Sequence, residues 1–286
     1  MLRLLRPKQW TKNLLLFAAL VFAEELFHPA AFVTACLAFV AFCLASSSIY
    51  VVNDLVDVER DRLHPDKRQR PIASGAVSKG KAAALAALLS AGALGLAFWI
   101  GQGFGLAVVV YMVLSHFYSF AGKNVVILDA LLIAIGFVLR AVAGAIAIDV
   151  PYSDWFVLCT LFVALFIALS KRKAELIAAR EAAGSRPVLM KYSEGALTAF
   201  TGTSMAAAVI SYSLYVQDIL AASDGELRAL ILTVPFVIIA VFRYHLLVEK
   251  EGLGEKPEEI LLSDGPLQLS MLGFVLVAIA AFYLGG

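Results

Sequence analysis

The run PAAFVTACLAFVAFCLASSSIYVVNDLVDVERD, Pro29 to Asp61, is largely apolar as far as Val52 and then turns abruptly acidic. A helix needs about 20 apolar residues to cross hydrocarbon, so Ala30–Val52 reads as a membrane span. Continued as a helix at about 100° per residue, Asn53, Asp57 and Asp61 stack at i, i+4 and i+8, and Asp54 falls on the same flank. Four oxygen-bearing side chains then share one sector, while Glu59 and Arg60 point elsewhere. Carboxylates at these spacings repel one another, which makes a cation their natural partner. Mg2+ is commonly held by a few carboxylates together with substrate phosphates. Arg62, Lys67, Arg68 and Arg70 follow at once. Acid followed by base at a membrane edge points to a metal-complexed diphosphate; the plainer reading is a solvated helix end with incidental charges.

Working outward, the chain of 286 residues is 61% hydrophobic and 16% charged, with a mean hydropathy of +0.86. Soluble domains are nearer half apolar and a quarter charged, so this is an all-α, polytopic integral membrane protein. Cys36, Cys43 and Cys159 sit inside apolar runs without ligand-like spacing and read as small core residues. The sequence has no glycine-rich nucleotide loop, no nucleophile elbow and no histidine metal pair, and no nucleic-acid partner is expected.

Nine spans are expected, at roughly Asn13–Phe27, Ala30–Val52, Ala82–Ile100, Phe104–Phe120, Leu128–Ile148, Ser153–Ser170, Leu197–Asp218, Ala229–Phe242 and Leu267–Leu284. They form a single transmembrane domain over residues 1–286. The first and eighth are short. Alternate connections carry four, seven, one, six and three Lys or Arg; the opposite side carries only Arg228, and Arg140 lies within a span. By the positive-inside rule the basic connections, about 53–81, 121–127, 171–196 and 243–266, are cytoplasmic. The N-terminus is then inside, the C-terminus outside, and the membrane the inner, cytoplasmic one. The basic, apolar N-terminus is read as an uncleaved span rather than a signal peptide, because Lys8, Trp10 and Lys12 form a membrane-edge pattern and Glu24-Glu25 is a poor cleavage context.

Several residues suit phosphate. Arg binds it as a bidentate fork and Lys as a point charge. In the first cytoplasmic loop Asp66–Pro71 forms a basic hairpin able to fold over the acids, with Lys67 and Arg70 as the expected binders. A purely topogenic loop would look similar. In the second basic loop Lys171, Arg172 and Lys173 end a span, where snorkelling anchors are also common. Glu175 is placed to orient Lys171 and Arg172, and Arg186, Lys191 and Tyr192 add donors. Lys123 lies in the short loop near Tyr118 and Asp129. Arg140, about three turns into the fifth span, is either a functional residue or a structurally paired one. Lys8 and Lys12 are i, i+4 and face the site or lipid phosphates, and Asn13 lies one turn deeper.

With these residues laid out, Asn53-Asp54-x-x-Asp57-x-x-x-Asp61 followed by Arg70-Pro71-Ile72-Ala73-Ser74-Gly75 resembles the first aspartate-rich motif of the UbiA superfamily of intramembrane prenyltransferases. The resemblance implies nine helices around a central cavity open to lipid, with a Mg2+-bound diphosphate at its cytoplasmic edge. It makes Asn53, Asp54, Asp57 and Asp61 the metal-binding and catalytic set. The segments Arg6-Pro7-Lys8-Gln9-Trp10-x-Lys12-Asn13, Asp61-Arg62-x-His64-Pro65-x-Lys67-Arg68, Ile135–Gly144 and Ser170-Lys171-Arg172-x-Ala174-Glu175-Leu176 look like the decaprenyl-phosphate 5-phosphoribosyltransferase branch. That branch transfers 5-phosphoribose from 5-phosphoribosyl 1-diphosphate (PRPP) to a polyprenyl phosphate and releases diphosphate. Typical superfamily members carry a second aspartate-rich motif where this chain has Lys171-Arg172-Lys173-Ala174-Glu175. A basic loop there suits the additional 5-phosphate of PRPP. The alternatives are a UbiA-type transfer from a prenyl diphosphate to an aromatic or other acceptor, and a transporter with the acids as an ion site.

Overall fold

The computed structural model describes residues 2–63, 67–181, 188–224, 226–251, 260 and 263–284. Every regular element among them is helical. The N-terminal part comprises α1 (Leu2–Leu5), a 3-10 segment (Pro7–Phe17), α2 (Ala18–Phe22), α3 (Pro29–Val56), α4 (Val58–Leu63), α5 (Lys79–Ile100) and α6 (Gln102–Phe120). After them come α7 (Leu128–Ala147), α8 (Asp154–Glu181), α9 (Glu194–Ala222), α10 (Val234–Glu251) and α11 (Gly265–Leu284). Two compact units emerge, residues 1–120 with 139–151, and residues 121–138 with 152–286.

Local sequence explains the boundaries. Pro29 opens α3, where its missing N–H costs nothing. Ser78 and Ser193 cap α5 and α9 by accepting the backbone N–H of Lys81 and Ala196. Asp129 and Arg140 apart, Leu128–Ala147 has a continuous apolar character and becomes α7.

Eight helices among the described residues are long and apolar enough to cross a membrane. The expected first span, Asn13–Phe27, is the exception. Its residues begin in an eleven-residue 3-10 helix and pass into five residues of α-helix. A 3-10 helix rises about 2.0 Å per residue against about 1.5 Å in an α-helix. Pro7–Phe22 therefore reaches roughly 30 Å, about the hydrocarbon thickness, with fewer residues than an α-helix needs. Hydropathy reported the apolar length but not the winding. Four other spans run on past their expected ends, α3 and α9 by about a turn and two by more. α8 continues through Lys171 to Glu181 and α10 through Arg243 to Glu251, because Ala, Glu, Leu, Lys and Arg are strong helix formers.

In the first unit α3 packs on α5 through small residues. Ala38, Ala41, Phe42, Ala45 and Ile49 meet Ala93 and Ala97, all buried. Small side chains let helix backbones approach closely where no hydrophobic drive separates protein from lipid. The 3-10 segment joins this core through Leu16, and Gly144 of α7 lies directly against the Leu16 main chain. In the second unit Phe166, Val241, Tyr244, Leu247 and Leu267 form one core cluster, and Ala168, Leu169, Leu176, Leu189 and Leu197 another. Leu88, Trp99, Val113 and Leu272 remain exposed, as lipid-facing side chains would be.

A Cβ added at Gly144 would collide with the Leu16 carbonyl. Gly144→Ala is therefore expected to destabilise the protein by about 1–3 kcal/mol, read as a lower midpoint of thermal inactivation in detergent. Gly202→Ala, where an added Cβ meets nothing, should keep or slightly raise it.

Candidate active site

The acid ladder forms as its spacing requires. α3 ends at Val56 and α4 begins at Val58, with Asp57 at the break, but the main chain keeps its helical register. The Asp57 N–H bonds the Asn53 carbonyl at 2.9 Å, and the Asp61 N–H bonds the Asp57 carbonyl at 2.8 Å. Asp54 and Asp61 are buried, and Asp57 is half-buried.

The buried carboxylates have cations on them. Arg70 Nη1 lies 2.7 Å from Asp61 Oδ2 and 3.1 Å from Asp54 Oδ1. Arg6 Nη2 reaches the same Asp54 oxygen at 2.5 Å, with its guanidinium 4.9 Å from the centre of the Tyr50 ring. Arg70 arrives through the chain after α4, as the folded-back hairpin predicts; the His64-Pro65-Asp66 part of that turn lies outside the described residues. Lys67 is half-buried in the same returning segment. Outside the cluster, Glu59 bonds Lys79 and Arg62, and the Lys79 bond holds its carboxyl below the usual carboxylate range.

Asn53 presents Oδ1 as a buried oxygen with no hydrogen-bond partner among the described residues. Asn53 with Asp54, Asp57 and Asp61 is a donor set of hard oxygens, the chemistry that a Mg2+ ion takes. In this arrangement guanidiniums hold two of the carboxylates, and no three acidic, His or Cys side chains among the described residues gather closely enough to hold a metal ion.

The N-terminal segment is fastened to the same unit by polar bonds. Asn13 is fully buried. Its Oδ1 accepts from Arg140 Nε at 2.9 Å, and its Nδ2 donates to Ser46 Oγ at 3.3 Å and to Cys43 Sγ at 3.4 Å. Arg140 also donates to the Tyr111 hydroxyl at 2.7 Å. Arg140 therefore has side-chain partners on the N-terminal segment and on α6. Trp10, expected as an interfacial anchor, donates to Ser47 Oγ. Lys8 is exposed and Lys12 half-buried on this segment.

In the second unit the basic trio divides. Arg172 is buried between two carboxylates, 2.6 Å from Asp129 Oδ2 and 2.5 Å from Glu175 Oε2. Buried Lys173 spends its ammonium on both oxygens of Glu249, at 2.6 and 2.8 Å. The half-buried Lys171 side chain makes no ion pair or hydrogen bond with the described residues. Tyr192 is also engaged, donating to Asp129 Oδ1 at 2.7 Å and accepting the Ile127 N–H at 2.6 Å. Burial, reinforced by that bond to Asp129, pushes its phenol well above the usual range, so it stays a donor. The N–H it receives belongs to a β-branched residue in left-handed backbone, φ 69°, a strained conformation that needs such a tie. Half-buried Lys123 sits four residues earlier, in a 3-10 turn. Lys191 is exposed, and Arg186 lies outside the described residues.

Sequence reasoning assigned no role to Arg6, Tyr111 or Glu249 and gave Asp129 only a neighbourhood. Their partners lie 48, 29, 76 and 43 residues away along the chain. No local spacing reports such pairs.

The model of the UbiA prenyltransferase family matches residues 14–259. The chain belongs to that family. A decaprenyl-phosphate phosphoribosyltransferase of Mycolicibacterium smegmatis is 38% identical over 99% of this chain and 92% of its own length. One of Corynebacterium glutamicum is 40% identical over 99% of this chain and 87% of its own. A solved UbiA homolog from Archaeoglobus fulgidus, bound to GPP and Mg2+, superposes with a TM-score of 0.72, covering 98% of each chain at 21% identity. That likeness establishes the fold of this UbiA-family chain as the one the helices and their order suggest.

The division of the basic trio makes a prediction. Arg172→Ala leaves the fully buried Asp129 carboxylate without its cation, and removing one partner of a buried pair costs about 3–5 kcal/mol. The thermal midpoint in detergent should fall sharply. Lys171→Ala should leave it within about 0.5 kcal/mol of the parent.

Proposed function

We propose that this UbiA-family enzyme transfers 5-phosphoribose from PRPP to a polyprenyl phosphate of the decaprenyl type, releasing diphosphate. The observation that carries the reading is likeness at 38–40% identity, over nearly the whole chain, to two decaprenyl-phosphate phosphoribosyltransferases. The chemistry of the sites supports it. Asn53, Asp54, Asp57 and Asp61 would hold Mg2+, which when bound neutralises charge on a diphosphate leaving group. Arg70, which bonds two of those acids, and Lys67 of the same returning segment would bind diphosphate oxygens. Lys171, the one cation of its trio without an ion pair or hydrogen bond among the described residues, takes a further phosphate, and Lys123 and Lys191 are additional candidates. Arg172, Lys173 and Tyr192 hold the frame around it. Lys8 and Lys12 suit the lipid phosphate.

In the reaction a phosphate oxygen of the lipid forms a bond to C1 of the ribose as the bond from C1 to the diphosphate oxygen breaks, with the electron pair leaving on diphosphate. A phosphate monoester is already anionic at neutral pH, so no strong general base is required. The family's other chemistry, prenyl transfer from a prenyl diphosphate, is disfavoured by Lys171-Arg172-Lys173 standing where a second acidic motif would. The protein is a multi-span membrane protein; its placement in the cytoplasmic membrane with the N-terminus inside rests on the 21 Lys and Arg assigned to one side.

Purified protein with radiolabelled PRPP, a polyprenyl phosphate and Mg2+ should move label into the organic phase, and EDTA should stop it. Label that stays aqueous, with product instead from a prenyl diphosphate and an aromatic acceptor, would replace this reading by the other. Asp57→Asn should lower turnover roughly 100-fold or more while expression and thermal midpoint hold. Lys171→Ala should raise the KM for PRPP roughly tenfold, the scale of one charge-assisted hydrogen bond. An unchanged KM would confine Lys171 to a topogenic role.

A further inference from the structure

Two guanidiniums meet on one carboxylate oxygen, Asp54 Oδ1, and they are not equivalent. Arg70 also holds Asp61, so it is bound twice within the cluster. Among the described residues Arg6 has Asp54 alone as its carboxylate, at 2.5 Å, and its side chain is about as exposed as that of Arg70. Arg6 also stands in left-handed backbone, φ 50° and ψ 61°, immediately before Pro7. Few non-glycine residues adopt that conformation, and a following proline favours extended backbone instead. Strain of this kind persists where surrounding contacts impose it and gathers at sites that switch. The contacts here are the ion pair, the Tyr50 ring and the bonds that pin the segment on both sides: Ser47 Oγ to the Leu5 carbonyl, and Trp10 to Ser47. Beside them lies Asn53 Oδ1, with no hydrogen-bond partner among the described residues.

We propose that Arg6 is a latch on the metal site and a diphosphate ligand in waiting. Without substrate it occupies Asp54 and competes with a cation for that oxygen. With metal and diphosphate bound, Asp54 would serve as a metal ligand and the Arg6 guanidinium would pass to the diphosphate oxygens, releasing the left-handed strain. The latch thereby favours metal with diphosphate over metal alone. This inference rests on the reading of Asn53, Asp54, Asp57 and Asp61 as metal ligands.

Full-length protein in lipid nanodiscs is titrated with Mn2+ alone and with Mn2+ plus inorganic diphosphate, with free Mn2+ read from its solution EPR signal. Arg6→Gln should bind Mn2+ alone about threefold or more tightly than the parent, since a charge-assisted competitor is gone. The gain in Mn2+ affinity on adding diphosphate should shrink by a similar factor. Arg6→Lys, which keeps the charge without the fork, should fall between. Arg60→Gln, which removes one charge from an exposed residue of α4, should behave as the parent. Mn2+ binding that is unchanged or weaker in Arg6→Gln overturns the latch, as does an equal tightening in Arg60→Gln, which would mark a bulk charge effect. A parent protein with no saturable Mn2+ site would instead overturn the metal reading itself, and the latch with it.

Discussion

Taking a carboxylate out of water at a membrane edge costs several kcal/mol unless a cation accompanies it. That constraint organises the polar parts of this protein. Asp54 and Asp61 are buried with Arg6 and Arg70, Asp129 with Arg172, and Glu249 receives buried Lys173. A cation proposed for the acid ladder would therefore enter a site where two of the three carboxylates already have arginine partners. Its binding would be an exchange of partners rather than the filling of a bare negative hole, with affinity set by the difference between the two sets of bonds.

Arg140 shows the same constraint met with neutral groups. It is buried past the middle of α7, eleven residues beyond the only other charged residue of that helix, Asp129, and it is satisfied in part by the Asn13 amide oxygen, the Tyr111 hydroxyl and the Tyr111 ring. Asn13 in turn supplies both ends of its amide to other elements. Arg140 and Asn13 together thus tie the N-terminal segment to α3, α6 and α7. Close packing at Gly144 fixes the same junction by shape.

Much of this was legible in the sequence because it is periodic. The ladder of Asn53, Asp57 and Asp61 follows from 100° per residue, and the main chain keeps that register even across the break at Asp57. Seven of the nine expected spans are single long α-helices, and the eighth opens with a 3-10 turn at Arg228–Thr233. The N-terminal segment departs because hydropathy measures composition, and an apolar 3-10 helix has the composition of an α-helix. The sorting of Lys171, Arg172 and Lys173 was out of reach for another reason. Adjacent residues point about 100° apart, so which of three neighbouring cations is buried depends on carboxylates supplied by α7 and α10. The pairing of Arg6 with Asp54 is equally nonlocal, and its left-handed backbone has no signature in residue type.

The 3-10 winding of Pro7–Phe17 also bears on how the protein meets bilayers of different thickness. An ordinary span longer than the local hydrocarbon relieves the mismatch by tilting or kinking. An eleven-residue 3-10 stretch has a further option, since rewinding it as α-helix would shorten it by about 5 Å. Because Asn13 and Leu16 are anchored in the core near its far end, that change in length would be taken up toward Arg6. Lipid composition would then be felt at the acid ladder as a pull along the chain.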